Sequence, residues 1–234
     1  MSNNQSKSAI LSAVRQALKT HPHVVDPGRP FSLPVAKIVS TAKTLAERFS
    51  EEITKLGSTC YIAASNDDAR KYITEYVGER GISRVAVSNS PLLSDIGIVA
   101  ALQDNGAKTQ IVDYNGCKDA RELDERKRAI RETLLHAELG ITSATYGIAD
   151  TGTLVIGATD EANRLTSLMP TVHLAVVTAD QLMPDLPSVM ERLSRNKLNQ
   201  AITLITGPSR TADIELTLTI GVHGPKELHV VIIT

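Results

Sequence analysis

The chain has 234 residues, 42% hydrophobic and 22% charged, the make-up of an ordinary soluble globular protein of one large domain or two small ones. Its 25 Lys and Arg against 26 Asp and Glu leave a formal net charge of -1, which argues against nucleic acid as a partner. Apolar runs such as that around Leu174 to Val177 fall far short of the roughly 20 residues that span a bilayer, and the polar start, residues 1–7, is no secretory signal.

Cysteine usage narrows the chemistry further. The 2 cysteines, Cys60 and Cys117, are far apart and form no C-x-x-C, so this chain by itself holds neither an iron–sulfur cluster nor a structural zinc. They read as reduced thiols of a cytoplasmic protein. With Trp 0 and aromatics at 3%, there is no base-stacking platform for single strands.

Residues 6–19 carry Ile10, Leu11, Val14, Ala17 and Leu18 on one helical face. Pro22, Pro27, Pro30 and Pro34 then make residues 21–34 an extended linker. The expected division is therefore 1–34, a helical arm with a proline-rich linker, and 35–234, one α/β domain. Ile38, Ala42, Leu45, Phe49, Ile53 and Leu56 predict a long amphipathic helix ending at Gly57. Strands are expected at 59–63, 84–87 and 108–112, with a helix capped by Asn66 and running through Gly78, and helices over 91–105 and over 119–139. Strands alternating with helices of this length predict a parallel sheet with helices on its faces. Beyond Gly140, 141–146 and 153–156 are strand-like around a glycine-bearing turn. Buried strands are expected at 171–177 and 201–205, a helix at 187–196, and a last strand at 227–233. The whole is an α/β fold of six or seven strands with an antiparallel insertion near its middle.

Three places could carry chemistry. Gly207-Pro208-Ser209-Arg210-Thr211-Ala212-Asp213 follows a strand and is expected to open a short helix. Its hydroxyls, free amides and Arg210 suit a carboxylate or phosphate beyond the carboxyl end of a strand. The same residues also read as a simple helix cap, with Arg210 paired to Asp213 or Glu215. Gly147 to Thr153 reads as a hairpin turn in which Asp150 bonds its own backbone, or as a cleft floor where Asp150 works as an acid/base. His173, His223 and Arg164 are the third group. None has metal-ligand spacing, so no metal is expected. There is no G-x-G-x-x-G, no Walker loop and no G-x-S-x-G.

Four blocks in order carry a family resemblance. They are Ile148-Ala149-Asp150-Thr151-Gly152-Thr153-Leu154-Val155, Arg164 to Pro170 leading into Val172-His173, Gly207 to Glu215, and Gly221-Val222-His223-Gly224-Pro225. Together they resemble the LUD domain of the lactate-utilisation protein C family, over residues 139 to the C-terminus. The resemblance implies a Rossmann-like parallel core similar to the sugar-phosphate isomerase and CoA-transferase superfamily. It implies a part in oxidising L-lactate to pyruvate with iron–sulfur partner proteins, this chain having no cofactor of its own. On that basis Asp150, His173 and His223 are candidate catalytic residues. Gly152, Thr153, Arg164, Ser209, Arg210, Thr211 and Asp213 are candidate anion-binding residues. Two other readings stay open: a free-standing transferase or ligase for a CoA-linked or phosphorylated molecule, and a non-catalytic scaffold that docks through its N-terminal arm.

Overall fold

The structure, a computed structural model, describes residues 3–20, 43–114, 116–158, 161–195, 201–212, 218–220 and 224–234. The chain divides into two units, 1–39 and 40–234. The described part of the first is one helix, α1 (Asn3–Thr20), with Ile10, Leu11 and Val14 exposed. The linker expected at 21–34 lies outside the described residues, as do Ile38 and Ala42.

In chain order the second unit runs α2 (Leu45–Lys55), β1 (Thr59–Ala63), α3 (Asn66–Glu79), β2 (Arg84–Ser88), α4 (Pro91–Ile96), α5 (Ile98–Asp104), β3 (Lys108–Val112), α6 (Ala120–His136) and β4 (Leu139–Ser143). It continues through β5 (Tyr146–Ile148), β6 (Thr153–Ala158), α7 (Glu161–Thr166), β7 (Val172–Thr178), β8 (Leu182–Met183), α8 (Leu186–Arg195), β9 (Ala201–Ile205), β10 (Arg210–Ala212), β11 (Leu218–Ile220) and β12 (Glu227–Ile233).

Six strands form one parallel sheet in the order β1-β12-β7-β4-β2-β3. β7 and β12 are near-continuous apolar runs, buried along almost their whole length, as a parallel sheet covered on both faces requires. On one face Ile73 and Val77 of α3 and Leu102 of α5 pack on Val87, Leu174 and Val231. On the other face Phe49 and Ile53 of α2, with Leu154 of β6 and Leu182 of β8, cover Val177 and Ile232. Ile130 and Leu134 of α6 cover Ala86 and Val112 beside them. The second sheet, β8-β5-β6-β9, lies over that face. Its β5–β6 and β6–β9 pairs are antiparallel and its β5–β8 pair is parallel. β10 and β11 form a separate antiparallel pair.

The parallel core and the antiparallel insertion agree with the sequence reading; several boundaries do not. α2 starts at Leu45 because Thr44 and Glu47 close a capping box, the Glu47 carboxylate accepting from Thr44 N at 2.8 Å. Ser65 rather than Asn66 caps α3, accepting from Asp68 N at 3.1 Å. The helix expected over 91–105 breaks at Gly97, whose φ of 71° ends α4. α6 ends at His136, and the next residues enter β4. The strand expected over 141–146 is two strands, β4 and β5, in different sheets. β9, expected to be buried, is only half-covered, and Leu204 faces solvent.

Candidate functional site

His173 is the second residue of β7, opposite Gly140 of β4 and Leu228 of β12. Its ring is 1% exposed. Nε2 shares a 2.8 Å hydrogen bond with Oγ1 of Thr142, two positions further along β4 on the same face. Nδ1 is buried with no partner. Burial pushes the ring's pKa down to about 3, so His173 is neutral at physiological pH. A buried imidazole with one satisfied nitrogen and one idle nitrogen has a hydrogen bond left to give or accept.

His173 lines a cleft of about 210 Å³. Ser167 forms part of one wall, and Thr203, Thr206, Gly207 and Ser209 form part of the other. Ser209 N donates to Pro225 O at 2.9 Å, tying this loop to the turn that leads into β12. A chain of hydroxyls extends from the cleft: Thr206 Oγ1 meets Thr153 Oγ1 at 2.8 Å, which meets Thr151 Oγ1 at 2.7 Å. The fold thus brings His173 and Ser209 to one cleft and links Thr153 to it through Thr206.

Asp150 sits in the hairpin turn between β5 and β6, its N donating to Pro184 O at 3.2 Å. It does not line the cleft. Burial raises its carboxyl pKa, opposed by the Arg48 guanidinium, and Oδ1 is buried with no partner. Gly152 closes the turn at φ +61° and lies so close to α2 that a Cβ there would stand 2.4 Å from Ile53 N. Arg164 is exposed at the end of α7, where its carbonyl accepts from Ser167 Oγ at 2.9 Å. Asp213, His223 and the side chains of Arg210 and Thr211 lie outside the described residues.

Two expectations about this loop are corrected. Arg210 does not open a helix: it begins β10, which pairs with β11. Nor does the loop lie beyond the carboxyl ends of the parallel strands. It follows β9, a strand of the second sheet, and lies against the residues that precede β12. The cleft therefore sits at the amino ends of β7 and β12, under the edge of the second sheet. Among the described residues the cleft offers hydroxyls and backbone amides, and no helix N-terminus, to whatever enters it.

Sequence reasoning missed Thr142, Ser167 and Thr206. Thr142 reaches His173 only through the β4–β7 register, which no local pattern encodes. Ser167 lies three residues after Arg164, and Thr206 directly precedes Gly207; a hydroxyl close in sequence to a candidate residue is the available signal. A larger groove, about 490 Å³, opens beside Arg84, Lys108, Glu132 and His136, and contains none of the candidate residues. Among the described residues no three His, Cys, Asp or Glu side chains gather as a metal site.

Fold and cleft define an open-sheet α/β domain with a cleft of about 210 Å³ between its two sheets. The chain belongs to the LUD domain family, whose model matches residues 46–233. It is 29% identical over 186 residues to a lactate utilization protein C of Halalkalibacterium halodurans, covering 77% of this chain and 75% of that protein. It is 26% identical over 233 residues to a lactate utilization protein B of Shouchella clausii, covering 80% of this chain and 47% of the other. Its fold is similar to the crystal structure of a DUF162 family protein from Deinococcus radiodurans, with a TM-score of 0.54 at 22% identity, over 81% of this chain and 96% of that one. No described helix is long and apolar enough to cross a membrane.

Proposed function

We propose that this chain serves lactate utilisation as a substrate-handling subunit, working beside iron–sulfur partner chains that carry the electrons. The observation that carries this reading is the idle Nδ1 of a buried, neutral His173 in a cleft that Ser209 also lines. The names of the relatives, lactate utilization proteins B and C, support the pathway. In this reading the carboxylate of a hydroxy acid is held by Ser209 with Arg210 and Thr211, the residues that follow it in sequence. His173, neutral, orients the substrate hydroxyl instead of competing as a cation. Asp150, linked to the cleft through the turn and the Thr151–Thr153–Thr206 hydroxyls, positions that wall. Oxidation of lactate to pyruvate releases two electrons and two protons. The partner clusters take the electrons and pass them to an acceptor.

The test is lactate-dependent dye reduction by co-expressed iron–sulfur partners with and without this chain. Activity that requires the chain, and is lost with Arg210→Ala while the circular dichroism spectrum is unchanged, supports the reading. Equal activity without the chain overturns it.

A second reading, a docking scaffold, is favoured by α1, where Ile10, Leu11 and Val14 present an apolar stripe to solvent. Deleting residues 1–34 separates the two. A scaffold loses partner association and activity together, whereas a substrate-handling subunit keeps lactate binding.

A further inference from the structure

A second cavity lies where the order of the parallel sheet reverses. From β2 the chain moves outward to β3, then returns to the other side of β2 as β4 and proceeds away through β7 and β12. β2 and β4 are neighbours whose onward connections run in opposite directions, and the crevice beyond their carboxyl ends is where open α/β sheets bind ligands. A cavity of about 170 Å³ occupies that crevice. Ser88 ends β2, Asn89 and Ser90 follow it, Thr142 and Ser143 end β4, and Gly157 of β6 closes the other side. None of these residues is used by the cleft at His173 except Thr142, which hydrogen-bonds that ring.

The lining is unusual in its chemistry. Buried polar residues are few in this unit, yet Ser88, Ser90 and Thr142, at 5%, 7% and 1% exposure, all converge here. Ser143 Oγ donates to Ser90 Oγ at 2.7 Å, leaving the Ser90 hydroxyl proton available. Asn89 Nδ2 donates to Asp113 Oδ2 at 2.7 Å, which fixes the amide and leaves its carbonyl oxygen as an acceptor. No lining residue is charged, and the nearby Asp113 carboxylate faces Arg126 at 3.9 Å. An anion would meet no cation in this lining and would have Asp113 behind it. Hydroxyls that both donate and accept match a ligand whose groups do the same. The volume is below the roughly 300–1,000 Å³ of drug-sized pockets, so the ligand is small.

We infer that the crevice between β2 and β4 is a second binding site, for a small uncharged polyol or sugar of triose to pentose size, held by Ser90, Ser143, Asn89 and Ser88. The site does not depend on the proposed role in lactate utilisation.

Saturation-transfer NMR on the full chain tests it, with glycerol, erythritol and D-ribose as probes and inorganic phosphate, which has no carbon-bound proton to observe, added as the anionic competitor. Transfer to at least one polyol is expected, and the Ser90→Ala/Ser143→Ala double variant should weaken its binding by about tenfold or more. Asn89→Ala, at an exposed position, should weaken it too and serves if the double variant does not fold. Ser209→Ala, in the other cleft, should leave it unchanged. Absence of transfer to all three polyols, binding that survives the crevice variants, or loss of the polyol signals to phosphate added at a lower concentration than the polyol would each overturn the inference. Lactate-dependent activity of the assembly is unaffected by any of these outcomes, so the two readings fail separately.

Discussion

The six-stranded and four-stranded sheets hold their positions by partly different means. In the parallel sheet β7 and β12 contribute long apolar runs covered on both sides, and their interior hydrogen-bonding needs are met by the ladder. In the mixed sheet β9 is half-exposed, and β8 has two residues. The mixed sheet also buries apolar side chains, Leu154 and Leu182 against the parallel sheet and Val155 and Met183 under α8, and it adds close backbone approach at Gly152 and a run of threonine hydroxyls from Thr151 to Thr206. Hydrophobic burial holds both sheets without regard to direction, and in the second the short polar contacts of Thr151, Thr153 and Thr206 add direction and fix where its edge lies. Polar groups and both clefts gather at the seam between them, where a ligand can meet directed donors and acceptors.

Breaking the seam should do the most damage. Gly152→Ala places a Cβ against Ile53 N in a backbone conformation that L residues rarely adopt. It should destabilise the protein by about 3 kcal/mol or more, read as a lowered urea midpoint. A loss under about 1 kcal/mol would mean that α2 and the turn move apart easily.

The next largest effect is expected at Thr142. Thr142→Val removes the partner of His173 Nε2 and leaves both ring nitrogens buried without partners. This should cost about 1–3 kcal/mol, with Thr142→Ser restoring most of it. Equal losses for valine and serine would assign the effect to packing.

His173 also makes the seam sensitive to acid. Its ring titrates near 6.5 when unfolded and near 3 when folded, so between those values the unfolded chain binds the extra proton. Stability is complete above pH 6.5 and falls as pH drops toward 3, by at most about 1.4 kcal/mol per pH unit. His229, whose pKa burial also lowers, adds in the same direction. Denaturation midpoints measured from pH 7.5 to 4 should fall less steeply for His173→Gln. An unchanged slope would place the acid sensitivity elsewhere.

The smallest effect on stability is expected at Ser209. It is half-buried and is tied to Pro225 through its backbone N–H, so Ser209→Ala should shift stability by no more than about 0.5 kcal/mol while weakening hydroxy-acid binding. A large stability loss would make it a structural residue.

The contrast between the sheets also explains what the sequence disclosed. The parallel strands are legible as apolar runs between helices closed by glycine, and the helix caps at Ser65 and Asp119 lie within a residue of the expected starts, whereas α2 begins at Leu45, well after the Ile38 from which its helix is expected. The mixed sheet was harder to read. No glycine or proline marks the passage at Ala144 and Thr145 from one sheet to the other, and β8 is too short for a periodicity to show. His173 and Ser209 were singled out from residue type and resemblance, and the fold places both on one cleft. Thr142 was invisible because it meets His173 only through strand register. The helix expected at Arg210 failed because the hydroxyl-rich loop that suggested a cap leads equally well into a hairpin strand.

In the proposed function the idle nitrogen of His173 faces a ligand. Long-range proton–nitrogen NMR of the histidine rings, recorded while L-lactate is titrated into the full chain, tests it most directly. The His173 Nδ1 signal is expected to move saturably, the ring to stay neutral at pH 7, and Ser209→Ala to weaken the response. A His173 signal that does not move across the titration would contradict it.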